Sequence, residues 1–138
     1  MASKKLPWYE VERQASEKKV IEDMVRFYSI ASTRARREGL LGLEGHAEER
    51  NIIWTDRSDL TGMGFRLIIS GVDADIVKQQ MDRGRAFVNE LGKAETAGVL
   101  AIQAGNITDN MIAAMAYSVS SKYGRLIAAA AETITNKR

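Results

Sequence analysis

Between Arg34 and Glu49 the chain reads Arg-Ala-Arg-Arg-Glu-Gly-Leu-Leu-Gly-Leu-Glu-Gly-His-Ala-Glu-Glu. The chemistry on offer is recognition by charge. Arg34, Arg36 and Arg37 precede a short apolar run of Leu40, Leu41 and Leu43, and Glu44, Glu48 and Glu49 close it. Read as a helix, the segment packs its leucines inward and holds its charges toward a partner. An ordinary solvated amphipathic face is the alternative that the pattern leaves open. Arg36 and Glu44 are eight positions apart. On one helix they lie within about 80° of each other and about 12 Å apart along the axis, which is one face but too far for a mutual ion pair.

Catalytic chemistry is harder to assemble. His46 is the single histidine and there is no cysteine, so a multi-histidine zinc site, a disulfide and thiol catalysis are all excluded. The absence of cysteine fits a reducing compartment. Glu44, Glu48 and Glu49 flank His46, but a surface histidine with local ion contacts accounts for them. Gly62-Met63-Gly64 lacks the spacing and the lysine of a phosphate loop, and no nucleophile elbow occurs. Ser118, Ser120 and Ser121 have no base near them in sequence, and Asp73 with Asp75 reads as helix capping rather than as a metal site. The expectation is a protein that is not an enzyme and takes no cofactor and no metal.

The 20 basic and 18 acidic residues leave a net charge of +2. The basic pairs Lys4-Lys5 and Lys18-Lys19 alternate with Glu10, Glu12, Glu17, Glu22 and Asp23. A nucleic-acid surface gathers its positive charge on one face, so no nucleic acid is expected as a partner.

These residues need elements to hold them. The 138 residues suit one domain with a real core, and 45% hydrophobic with 28% charged residues is ordinary for a globular chain. Pro7 is the lone proline and suits a helix's first turn, with residues 1–6 as a flexible basic tail and Trp8 and Tyr9 pinning the start. Val20, Met24, Phe27 and Ala31 step by four, three and four, and Ile21, Val25 and Tyr28 widen that stripe. This first helix is expected to run through the arginines toward Leu43, weakened at Gly39 and Gly42. Gly45 is a plausible stop, and Ile52, Ile53 and Trp54 a plug against the body. Ser58 is a candidate N-cap for a short helix over 59–70 that presents Leu60, Met63 and Leu67, with Phe65 as a looser candidate. Gly71 stops that helix and Asp73 caps a long one, with Val77, Met81, Gly84, Val88 and Leu91 in a heptad seam running on toward Gln103. Gly105-Asn106 stops it in turn. Thr108 then caps a last helix with Ile112, Ala116, Val119, Tyr123, Leu126, Ala130 and Ile134 on one side and alanines on the other. The expected fold is all-α: a single-domain bundle over 1–138 of about four helices, two of them long. Residues 38–43 echo residues 97–102, which leaves open a pair of related helical hairpins or chance.

No segment approaches the roughly 20 apolar residues of a spanning helix, and the N-terminus lacks a signal-peptide run. The expectation is a soluble cytoplasmic protein with no integral membrane segment.

Arg36-Arg37-Glu38-Gly39-Leu40-Leu41-Gly42-Leu43-Glu44, followed downstream by Phe65-Arg66-Leu67-Ile68-Ile69-Ser70-Gly71-Val72-Asp73, Ile76 and Met81, resembles the cytoplasmic region of MotA. MotA is the flagellar motor stator subunit of the MotA/TolQ/ExbB proton-channel superfamily. The resemblance spans roughly residues 24 to 90. It implies a role in motility through contacts with the rotor protein FliG or with stator or motor-associated proteins, peripheral to the motor at the inner membrane. Carried onto this chain, the family's basic contact position falls on Arg36 and its acidic one on Glu44, with Arg37, Arg34 and Glu48 as looser candidates. The family's four membrane helices have no counterpart here, so proton conduction is not expected. A helical scaffold that forms a homo-oligomer through its alanine-rich last helix, with no flagellar role, is the rival reading.

Overall fold

Helix α1 (Trp8–Glu38) sets the frame. The computed structural model describes residues 8–44, 60–84 and 90–136, with side chains described for 15–44, 60–83 and 90–134. The stripe legible in the sequence is the buried side of α1: Ile21, Met24, Val25, Phe27, Tyr28 and Ala31 are fully buried. Its outer side carries local ion pairs, Lys18–Glu22 at 4.0 Å, Lys19–Asp23 at 3.2 Å and Arg26–Asp23 at 3.6 Å. Exposed pairs of this kind contribute about 0–1 kcal/mol each, so burial rather than charge holds α1 in place.

Five more α-helices follow among the described residues: α2 (Leu60–Ile69), α3 (Ala74–Gly84), α4 (Leu91–Gln103), α5 (Thr108–Tyr117) and α6 (Ser121–Asn136). No strand occurs among them. The all-helical expectation holds, but the expectation of about four helices does not, because two long helices read from the sequence are each two shorter ones. Residues 73–103 divide into α3 and α4, which pack on each other and so are not collinear. Gln103 Nε2, at the end of α4, donates to the carbonyl of Val72, just before α3, at 2.7 Å. The pair is therefore an antiparallel hairpin. Of the expected heptad seam, Val77 and Met81 on α3 and Leu91 on α4 lie in the core, Gly84 ends α3, and Val88 lies outside the described residues. The last helix breaks at Ser118–Ser120. The Ser118 hydroxyl donates to the Met115 carbonyl at 2.7 Å, and the Ser120 N–H donates to Glu90 Oε1 at 2.5 Å. Serine hydroxyls that compete for backbone groups favour such breaks, and Ser118 takes that role here.

α5 and α6 form a second hairpin, closed where a Cβ on Gly124 would stand 2.7 Å from the Ala116 carbonyl oxygen. α6 lies along α1 in the same direction: Lys122 pairs with Glu17 at 3.5 Å near one end, while Ala131 and Ile134 share a groove with Ser29 and Thr33 near the other.

The core is centred on aromatic residues from α1 and α2. Phe27 stacks on Phe65 at 5.7 Å, and Tyr28 meets Phe27 and Phe65 edge-on at 5.9 Å each. Tyr28 carries a polar end into this core. Its hydroxyl shares a 2.7 Å hydrogen bond with Thr61 Oγ1 and donates to the Glu95 carbonyl at 3.3 Å. α4 comes this close because Gly98 faces the Tyr28 ring; a Cβ there would stand 2.5 Å from ring carbons.

Two stops read from the sequence are present. Gly71 and Gly105 adopt φ of 80° and 78°, the left-handed conformation glycine reaches without strain. The Thr108 cap is not: Ile107 occupies the N-cap position without a side-chain hydrogen bond, and the Thr108 hydroxyl donates instead to Ser32 Oγ at 3.2 Å. α2 buries Leu60 and Phe65 from the expected face together with Thr61 and Ile68, while Met63 and Leu67 are only partly buried against the core. The echo between 38–43 and 97–102 has no structural counterpart, because the second segment lies inside α4 and the first spans a helix end and a 3-10 turn. The readings of Gly45, Ile52, Ile53, Trp54 and Ser58, like those of residues 1–6, lie outside the described residues. No described helix is long and apolar enough to cross a membrane.

Candidate protein-contact site

The end of α1 is set by Gly39. Its N–H donates to the Ala35 carbonyl at 2.8 Å and its φ is 82°, so the helix stops and the chain turns back. A 3-10 turn, Leu40–Leu43, follows. Leu43 is fully buried and plugs the turn into the core, leaving Leu41 67% exposed. Gly42 lets the turn fold against α1: a Cβ there would stand 2.8 Å from Glu38 Cβ and 3.5 Å from Arg34 Cγ.

This overturns the shared-helix geometry expected for Arg36 and Glu44. Arg36 lies in the last turn of α1, and Glu44 follows the 3-10 turn beyond a left-handed residue, so the spacing of a single helix no longer relates them. Both side chains are exposed, as is Arg37, while Arg34 is half-buried. Glu48 and His46 lie outside the described residues. Arg34, Arg36, Arg37 and Glu44 have no ion-pair partner among the described residues.

The three arginines do not share one face. At 100° per residue, Ile30, Arg34 and Arg37 fall within about 60° of one another around α1, whereas Arg36 lies about 100° from Arg37. The structure agrees: Ile30, Thr33, Arg34, Arg37 and Glu38 line one shallow groove of about 260 Å³, and Arg36 lines another, against α5 and α6. Arg34 and Arg37 are thus brought together, and Arg36 is set apart.

Ile30, 46% exposed, escaped sequence reasoning, and Leu41, expected to pack inward with Leu40 and Leu43, is instead 67% exposed. Ile30 had a signal, since it falls outside the arc defined by Met24, Phe27, Tyr28 and Ala31. Leu41 had none, because its exposure depends on the turn at Gly39. An apolar side chain beside charges that have no ion-pair partner among the described residues suits a protein contact, with the apolar group supplying energy and the charges orientation.

The other candidates have structural roles. Asp73 accepts the N–H groups of Ile76 and Val77 on its backbone carbonyl, at 3.0 Å each, and Asp75 sits in the first turn of α3. Gly64 lies inside α2, where a Cβ would stand 2.7 Å from Met81 Sδ. Lys18 and Lys19 have carboxylate partners. Among the described residues no group of three histidine, cysteine or acidic side chains is placed to hold a metal ion. No protein-family model, curated protein or solved structure matches the chain.

Proposed function

We propose that this chain is a non-enzymatic, cytoplasmic protein-contact module of the flagellar motor, resembling the cytoplasmic region of MotA. It docks a FliG-type rotor protein or a stator component through the end of α1 and the turn after it. The observation that carries this reading is the conjunction of exposed Ile30 and Leu41 with Arg34, Arg37 and Glu44, charges left without ion-pair partners among the described residues. Exposed charges of this kind raise the association rate and fix orientation, while a few apolar anchors carry affinity.

The test is binding of the purified chain to a FliG-type rotor protein by biolayer interferometry at low and moderate salt. Leu41→Ser is expected to speed dissociation, and Arg37→Glu and Glu44→Lys to slow association, each with an unchanged circular-dichroism spectrum. If all three variants bind as the parent does, the site is wrong. If the parent binds neither rotor nor stator proteins, the motor role is wrong.

A second reading is self-association through α6, favoured by Ala128 and Ala129, which are exposed on its outer side. Small side chains allow helices to approach closely. Sedimentation velocity of the parent and of Ala129→Glu separates the two readings: a dimer lost in the variant supports the scaffold, and a monomer throughout rejects it.

A further inference from the structure

Helix α6 turns a charged face away from the core. Ile127 is fully buried and Ala130 is 3% exposed, while Ser121, Arg125, Ala128, Ala129 and Glu132 are all exposed. At 100° per residue, Arg125 and Glu132 fall within about 20° of each other, with Ala128 on one side of them and Ala129 on the other, within about 60°. Ile127 and Ala130 lie about 150° from the middle of this face.

Neither charge is satisfied within the described chain. Arg125 and Glu132 have no ion-pair partner among the described residues. Three and four positions away, Arg125 has Ser121, Lys122, Ala128 and Ala129, and Glu132 has Ala128, Ala129, Thr135 and Asn136. Neither therefore finds the opposite charge at the spacing that supports a pair along a helix. They do not reach each other, since seven residues span about 10 Å of axis. Leu126 and Ala129 continue the face into a groove of about 580 Å³ between α6 and α1. Of the cations that line it, Lys18 and Lys122 hold Glu22 and Glu17 at 4.0 and 3.5 Å, which leaves Arg125.

We propose that this face binds a second copy of the chain, with the two α6 helices antiparallel about a two-fold axis that passes between Ala128 and Ala129. The inference rests on the self-association reading given above and assigns its register. The Ala128–Ala129 pair is the midpoint of the interval from Arg125 to Glu132, so the two-fold operation sets Arg125 of each copy level with Glu132 of the other. One contact thereby pairs four charges, and the small alanines at its centre let the helix axes approach to about 8 Å. A face that carries one cation and one anion in this register favours a copy of itself over other occupants. An acidic peptide would set like charge against Glu132, and a polyanion would find a single uncommitted cation.

The test is sedimentation equilibrium of the full chain up to about 1 mM, the weak end of specific association, with circular dichroism as the control of fold. The proteins are the parent, Arg125→Glu, Glu132→Arg, an equimolar mixture of these two variants, the double variant that carries both changes, and Ala129→Glu. The parent is expected to form a dimer that weakens with added sodium chloride. Each single charge reversal sets like charges against each other twice per dimer and is expected to raise the dissociation constant at least about tenfold. The mixture is expected to regain the dimer as a heterodimer, because the two reversed positions then meet each other and the two native ones do the same. The double variant is expected to regain it alone. Charge reversals that leave the dimer unchanged, or a mixture that fails to restore it, overturn this register; where Ala129→Glu still abolishes the dimer, self-association through α6 stands without it. A parent that stays monomeric throughout overturns both.

Discussion

Replacing Gly98 with alanine tests how α4 reaches the aromatic core. The new methyl would stand 2.5 Å from both Cδ2 and Cε2 of Tyr28 and 3.1 Å from Met115 Sδ. Ordinary carbon contacts begin near 3.5 Å, so about 1 Å of separation must be found. The ring cannot simply swing away, because its hydroxyl bonds Thr61 at 2.7 Å and its edges meet Phe27 and Phe65 at 5.9 Å. Overpacking of this kind costs about 1–3 kcal/mol. Pulling the Tyr28 hydroxyl off its partner adds about 1 kcal/mol, and the better helix propensity of alanine returns about 1 kcal/mol. The net expectation is a loss of about 2 kcal/mol. For 138 residues at about 2.1 cal/mol/K each, the unfolding entropy is about 0.29 kcal/mol/K, so Tm should fall by about 7 °C. The assay is thermal unfolding by circular dichroism for four proteins: parent, Gly98→Ala, Tyr28→Leu and the double variant. In the Tyr28→Leu background the clashing ring carbons are gone, and adding Gly98→Ala should cost at least about 1 kcal/mol less than it does alone. A Gly98→Ala protein as stable as the parent, or a penalty unchanged by Tyr28→Leu, refutes the argument.

Gly124→Ala should destabilise by about 2–3 kcal/mol in urea unfolding, because the methyl meets the Ala116 carbonyl oxygen at 2.7 Å and backbone cannot rotate aside; a change under about 0.5 kcal/mol would mean that the α5–α6 hairpin is loosely closed. Leu43→Ala should cost about 3 kcal/mol and Leu41→Ala under about 0.5 kcal/mol, since Leu43 is fully buried and Leu41 is 67% exposed; equal costs in the same urea assay would contradict the placement of the 3-10 turn. Molar sodium chloride should lower stability by under about 1 kcal/mol through the ion pairs of α1, measured as the shift in urea midpoint, because Lys18 and Lys19 are largely exposed.

What sequence could and could not reveal divides along the reach of the interactions. The α1 stripe and the stops at Gly71 and Gly105 follow from periodicity and backbone freedom, which are local properties. Gly39 was visible only as a weak point, because the same glycine serves as a costly interior residue or a left-handed stop, and the buried position of Leu43 decides between them. Gly98 marks a close approach to Tyr28, 70 positions away in the chain, and nothing local to it says so; Gly124 meets Ala116 only because the chain turns back at Ser118–Ser120. The break at Ser118–Ser120 likewise relies on Glu90, 30 positions away. For the contact site, the charge of Arg34, Arg36 and Arg37 was legible and its division between two grooves followed from helical angles. The exposure of Leu41 did not, because it depends on where α1 ends. The groove at Ser29 was unreadable for the same reason, since its three walls come from α1, α5 and α6.

The parallel placement of α1 and α6 has a consequence for biosynthesis. Glu17 and Lys122, which pair in the folded protein, are 105 residues apart in the chain, so at about 5–20 residues per second the ribosome needs about 5–20 s to pass from one to the other. Throughout that interval the face of α1 that meets α6 has nothing native to cover it. A nascent chain in this state is a substrate for the chaperones that bind apolar segments as they emerge, and stalling translation before Ser121 should leave it bound to them.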